Sequence, residues 1–178
     1  MQMDPFFSLP QRKSNLLHGY DYSEARCYFI TICTYNRTES LSRICRGDPR
    51  GRPQVQLTAL GQIADAAFLS VQNLYGVSFD KSVMMPNHVH FILNMAVERA
   101  TARVAPTVGQ VVGAYKSIIA REWIALCSRE GLRANKIWQR NYYDHIIRNE
   151  QDYREIWNYI DTNPLKWDQD RFYTNRQE

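Results

Sequence analysis

Residues 84–93, Met84-Met85-Pro86-Asn87-His88-Val89-His90-Phe91-Ile92-Leu93, decide the fold. A Pro-Asn step followed by β-branched and aromatic residues reads as a turn leading into a strand. Strand side chains alternate, so His88, His90 and Ile92 face one way while Val89, Phe91 and Leu93 face the other, into a core. Two imidazoles on one strand face can offer ring nitrogens to a single divalent cation, with positions left for a third ligand and a substrate oxygen. Two polar residues, partly exposed on a half-buried strand, would give the same pattern.

Upstream, strand signals run from Val77 to about Met85, so the Pro86-Asn87 turn predicts an antiparallel hairpin. Before it, Thr58 is a natural N-cap for a helix to about Leu74, with Leu60, Ile63, Ala64, Ala67, Phe68 and Val71 at helical spacing. Arg26 to Thr34 forms a first, central strand, rich in β-branched and aromatic residues. Between these, Arg43 to Pro53 reads as a basic loop and Gln54 to Leu57 as a short strand. Downstream come an amphipathic helix, about Val108 to Arg129, a stretch of irregular strand character from Lys136 to Ile147, and a last helix. The order strand, helix, strand, strand, helix, strand is the split βαβ, ferredoxin-like pattern of an α+β fold, with a C-terminal helix added.

The 178 residues suffice for one domain spanning 1–178, with residues 1–24 as an irregular arm. A net charge of +4 together with 11 tyrosines and 4 tryptophans suits a nucleic-acid surface, where basic groups meet phosphates and rings stack on unpaired bases. The four cysteines contain no Cys-x-x-Cys pair, which argues against a zinc finger or redox dithiol and for inert thiols in a reducing compartment. No apolar run reaches membrane-spanning length and no signal-peptide pattern opens the chain, so a cytoplasmic protein without a membrane partner is expected.

The last helix starts after Asn149, whose side chain can cap it, and ends near Asn163, because Pro164 cannot continue the ladder. Tyr153, Ile156, Trp157 and Ile160 stand at i, i+3, i+4 and i+7 and form the expected buried stripe. Tyr159 lies about 110° from the centre of that stripe, and Asn163 lies one turn on, along the same flank. A phenol able to attack and an amide oxygen able to ligate are thus stacked on a face the core does not use. Tyr115, beside Lys116, instead falls in the apolar stripe of the longer helix and reads as a core tyrosine.

Pro86-Asn87-His88-Val89-His90, then Trp138-Gln139 to Ile146-Ile147-Arg148-Asn149, then Tyr159-Ile160-Asp161-Thr162-Asn163-Pro164-Leu165-Lys166 together resemble the REP-associated tyrosine transposases. These are relatives of the single-tyrosine transposases within the HUH endonuclease superfamily. Gly19-Tyr20-Asp21-Tyr22 also looks like that family's approach to its first strand; the arginine-rich loop matches no family motif. The resemblance implies Tyr159 as catalytic nucleophile and His88, His90 and Asn163 as ligands of Mg2+ or Mn2+. It implies cleavage and rejoining of single-stranded or hairpin DNA through a 5′-phosphotyrosine, by a monomer or a homodimer. Lys116, Arg140, Arg148 and Lys166 are then candidates for phosphate contact, and Trp138, Tyr142 and Tyr143 for base stacking. Rival readings are a hairpin-binding or RNA-recognition module with aromatics on an open sheet face, and a metal-dependent hydrolase that uses water as its nucleophile.

Overall fold

The computed structural model describes residues 27–45, 53–95 and 106–173. The N-terminal arm, the Gly19 to Tyr22 segment and most of the basic loop lie outside the described residues. The chain runs β1 (Cys27–Cys33), β2 (Ser42–Cys45), β3 (Gln54–Leu57), α1 (Ala59–Tyr75), β4 (Ser78–Met84), β5 (His88–Asn94), α2 (Val108–Arg129), β6 (Tyr143–Ile146) and α3 (Glu150–Thr162). A 3-10 segment, Asn163–Gln169, continues from the end of α3. The main sheet has the order β4-β5-β1-β6 and is antiparallel at every pairing. That is the arrangement expected of the split βαβ pattern.

Local chemistry sets the boundaries. Thr58 accepts from the Gly61 amide at 3.1 Å and starts α1, which Gly76 ends in the left-handed conformation. Thr107 and Gln110 form a reciprocal capping box on α2, and Asn149 accepts from the Asp152 amide at 2.8 Å to start α3. The sequence shows only half of one feature: β3 pairs with β2 in a separate two-stranded hairpin, and β2 takes up Arg43 to Cys45 of the expected loop. The hairpin is tied down where Ser42 Oγ donates to the Met84 carbonyl at 2.7 Å. A Cβ built on Gly61 would collide with the Leu41 carbonyl oxygen, so only glycine permits this approach of helix to hairpin.

The β5 alternation sorts the core into two parts. Val89, Phe91 and Leu93 join Tyr28, Ile30 and Ile32 of β1 and the apolar faces of α1 and α2 in one large cluster. Tyr115 lies within it, fully buried, its hydroxyl donating to the Ala64 carbonyl at 3.0 Å. On the opposite face Phe29 and Ile92 meet Ile156 and Ile160 of α3 in a second, smaller cluster. Trp157 departs from its expected place in the stripe: it is 37 % exposed, at the rim, with the Lys81 ammonium 5.0 Å from its ring. Strand character in Lys136 to Ile147 is confined to β6 and a single bridge between Thr34 and Trp138. Among the described residues no helix is long and apolar enough to cross a membrane.

Candidate active site

His88 and His90 lie on the α3 side of the sheet, opposite Cys33 and Thr31 of β1. Both are wholly buried, so the half-exposed strand face expected as the alternative is not what the chain builds. The C-terminal segment covers them: the Phe172 ring centre is 4.5 Å from that of His88 and 6.1 Å from that of His90. A covered face of this kind also removes the open aromatic platform that an RNA-recognition module would need.

Each imidazole is held through Nδ1. His88 Nδ1 lies 2.9 Å from Asn87 Oδ1, which can only accept, so Nδ1 carries the proton and Nε2 keeps its lone pair. The Asn87 amide is itself oriented, because its Nδ2 donates to the Phe172 carbonyl at 2.7 Å. His90 Nδ1 lies 2.8 Å from Thr31 Oγ1. Anchoring one ring nitrogen while the other faces a shared point is how proteins orient metal-binding histidines. Burial, then the neighbouring His90, Arg171 and Arg37, push the His88 pKa well below its ordinary value. Burial, then Arg171, push His90 down to about 3. Both rings are therefore neutral near pH 7, the form that ligates.

α3 brings the other components. Tyr159, half-buried, has its hydroxyl 3.4 Å from His90 Nε2 and its ring edge-on to Phe29. Asn163, at the end of the helix, is 4 % exposed, and its Nδ2 donates to Asp170 Oδ2 at 3.0 Å. Two buried acceptors, His88 Nε2 and Asn163 Oδ1, have no hydrogen-bond partner among the described residues. Buried acceptors are rarely left so, and a cation is a partner that suits both. The ligand atoms of His88, His90 and Asp170 lie within 4.8 Å of one another, so the donor set fits a divalent ion.

The sequence did not flag Thr31, Asn87, Asp170 or Phe172. Asn87 carried a usable signal, since an amide next to a candidate ligand is a natural orienting group. Asp170 and Phe172 follow a proline and belong to no helical or strand period.

The candidate DNA-contacting residues divide. Arg140, Arg148 and Lys166 are exposed, and Tyr143, 40 % exposed, pairs with Thr31 on the histidine face. Lys116 does not reach outward as expected. Its ammonium donates to the carbonyls of Gln139, Arg140 and Asn141 at 2.9, 3.3 and 3.0 Å, and burial lowers its pKa to about 8. Trp138 is 7 % exposed and belongs to the large core cluster, which denies a base access to its faces. Tyr142 also packs against that core, with the Lys116 ammonium 5.9 Å from its ring. The cysteines are free thiols, and burial raises Cys33 to about 11, an unreactive state.

Residues 49–163, more than half the chain, match the family model described as "Transposase IS200 like". The chain belongs to the IS200-like transposase family. It is 32 % identical to an uncharacterized protein of Haemophilus influenzae, over 92 % of this chain and 94 % of that one. It is 28 % identical to the REP-associated tyrosine transposase of Escherichia coli K12, over 81 % of this chain and 73 % of the relative. Among solved structures, a REP-associated tyrosine transposase bound to a REP hairpin superposes with a TM-score of 0.53 at 21 % identity, covering 90 % of this chain and 74 % of that one, which shows a shared fold. In this IS200-like transposase His88, His90, Tyr159 and Asn163 all lie on the α3 side of the main sheet.

Proposed function

We propose that this transposase cleaves and rejoins single-stranded, hairpin-bearing DNA through a 5′-phosphotyrosine on Tyr159. One observation carries the reading. The Tyr159 hydroxyl lies 3.4 Å from His90 Nε2, in a site where His88 Nε2 and Asn163 Oδ1 are buried acceptors without partners. The relative bound to a REP hairpin supports hairpin DNA as the substrate class.

Tyr159 Oη forms a bond to phosphorus as the P–O3′ bond breaks, so the phenol loses its proton and the departing strand ends in a 3′-OH. The ester keeps the bond energy, and attack by a 3′-OH reverses the step and rejoins DNA. His88, His90 and Asn163 would hold Mg2+ or Mn2+, which supplies Lewis-acid polarisation of the scissile phosphate. Asn87 and Thr31 hold the two rings so that their Nε2 atoms face the site. α3 lies on β4 and β5 of its own chain, which supports Tyr159 serving the histidines of the same molecule. The exposure of Arg140, Arg148 and Lys166 supports phosphate contact by these groups, and that of Tyr143 supports base stacking.

The test is a denaturing gel of labelled single-stranded palindromic DNA incubated with Mn2+ and the wild type, Tyr159→Phe or Tyr115→Phe. A covalent adduct formed by the wild type and Tyr115→Phe but absent from Tyr159→Phe is the expected result. Cleavage with no adduct would make the protein a hydrolase. Loss of the adduct in Tyr115→Phe alone would move the nucleophile to α2.

A further inference from the structure

We propose that Asp170 is a positioning residue of the metal site: it fixes the Asn163 amide so that its oxygen, and not its nitrogen, faces His88 and His90. This rests on the metal-site reading above.

An asparagine amide can flip about its last torsion, and the two orientations present opposite chemistry, an acceptor or two donors. Only the acceptor can ligate a cation. Asp170 removes the choice, because an ionised carboxylate accepts and never donates, so it takes the NH2 end of Asn163. The oxygen is then left facing the interior, and it is this atom that lacks a partner among the described residues.

Asp170 is held in turn. Its Oδ1 accepts from the Phe172 amide at 2.7 Å, while the Phe172 carbonyl accepts from Asn87, the residue that fixes the His88 tautomer. The orientations of Asn163 and His88 therefore both depend on the backbone of Phe172. The Asp170 carboxylate lies close enough to the histidines to be considered a ligand itself. Each of its oxygens accepts one N–H and keeps a further lone pair, whereas Asn163 Oδ1 and His88 Nε2 accept none, so the double variant below separates positioning from ligation.

The experiment is calorimetric titration of the full chain with Mn2+ for the wild type, His88→Ala, Asn163→Ala, Asp170→Ala, Asp170→Asn and the Asn163→Ala/Asp170→Ala double variant. Thermal unfolding checks that each is folded. Asp170→Ala is expected to weaken Mn2+ about tenfold, as is usual for loss of a group that orients a ligand. The double variant should bind no more weakly than Asn163→Ala alone, since a positioning residue acts only through the group it positions. Asp170→Asn, which keeps one acceptor, should fall between the wild type and Asp170→Ala, and this comparison carries the test if Asp170→Ala does not fold. Wild-type affinity in both Asp170 variants would overturn the proposal, as would a further loss in the double variant, which would make Asp170 an independent ligand. Failure of the wild type to bind Mn2+, or undiminished binding by His88→Ala, would overturn the metal-site reading itself and this inference with it.

Discussion

The two faces of the central sheet are built from the same strands and do opposite work. On the side of α1 and α2, β1 and β5 contribute aliphatic and aromatic side chains to a large cluster in which Phe91 contacts Phe68, Phe79 and Tyr115 with ring centres 5.3, 5.4 and 5.8 Å apart. On the side of α3, the alternate residues of those strands contribute Thr31, His88 and His90, and among the described residues Phe29, Ile92, Ile156 and Ile160 form a smaller buried apolar cluster. Both faces are covered over β1 and β5, while Tyr143 at the β6 edge of the histidine face stays exposed. One gains its free energy from apolar burial, while the other holds neutral imidazoles and unpaired acceptors whose desolvation works against folding. Stability and chemistry are thus separated by the alternation of a single strand.

The largest effect on folding should come from breaking the apolar side. Phe91→Ala is expected to cost about 3–5 kcal/mol in denaturant unfolding, the usual range for removing a buried aromatic ring. A loss under about 1 kcal/mol would mean that this face is not the main source of stability. Next is ligand linkage on the other face. Mn2+ at a hundredfold excess over its Kd should raise the unfolding free energy by about 2.7 kcal/mol in the wild type and not at all in His88→Ala.

Acid sharpens the contrast between the faces. Because burial holds the folded His88 and His90 below their unfolded values, the unfolded chain takes up protons first as pH falls. Stability from this source is complete above about pH 6.5 and is lost as pH falls, towards about 3 for His90, by up to about 1.4 kcal/mol per pH unit for each histidine. Unfolding of the metal-free protein between pH 6.5 and 5 should show this slope, and a His88→Ala/His90→Ala variant should flatten it. The smallest effect on stability is expected from Tyr159→Phe, which should unfold within about 0.5 kcal/mol of the wild type while forming no covalent adduct. A large destabilisation would make Tyr159 a packing residue.

Much of this division was legible in the sequence because it follows from periods. A repeat of two sorted the β5 residues between faces. A repeat of 3.6 put Tyr115 in the core, and Thr58, Asn149 and Pro164 marked helix ends through their side-chain and ring chemistry. What stayed hidden lacks a period. The carbonyls that hold Lys116 come from a loop whose path is set by tertiary contacts, and Trp138, bridged to Thr34, is buried by packing in the large core cluster. Asp170 and Phe172 reach the histidines after a turn of 3-10 helix that no hydrophobic pattern announces. Trp157 obeys the helical spacing yet ends at the rim, because spacing gives the direction of a side chain and not how far the neighbouring surface extends.

The Phe172 ring over two fully buried histidines also has a kinetic consequence. Both rings are fully buried and the Phe172 ring packs against that of His88, so at the proposed metal site an ion would reach His88 only when the covering side chains move. At low ion concentration the uptake rate would then rise in proportion to the ion. At high concentration it would level off at the rate of that movement, which the Asn87 and Arg37 hydrogen bonds to the Phe172 and Arg171 carbonyls oppose.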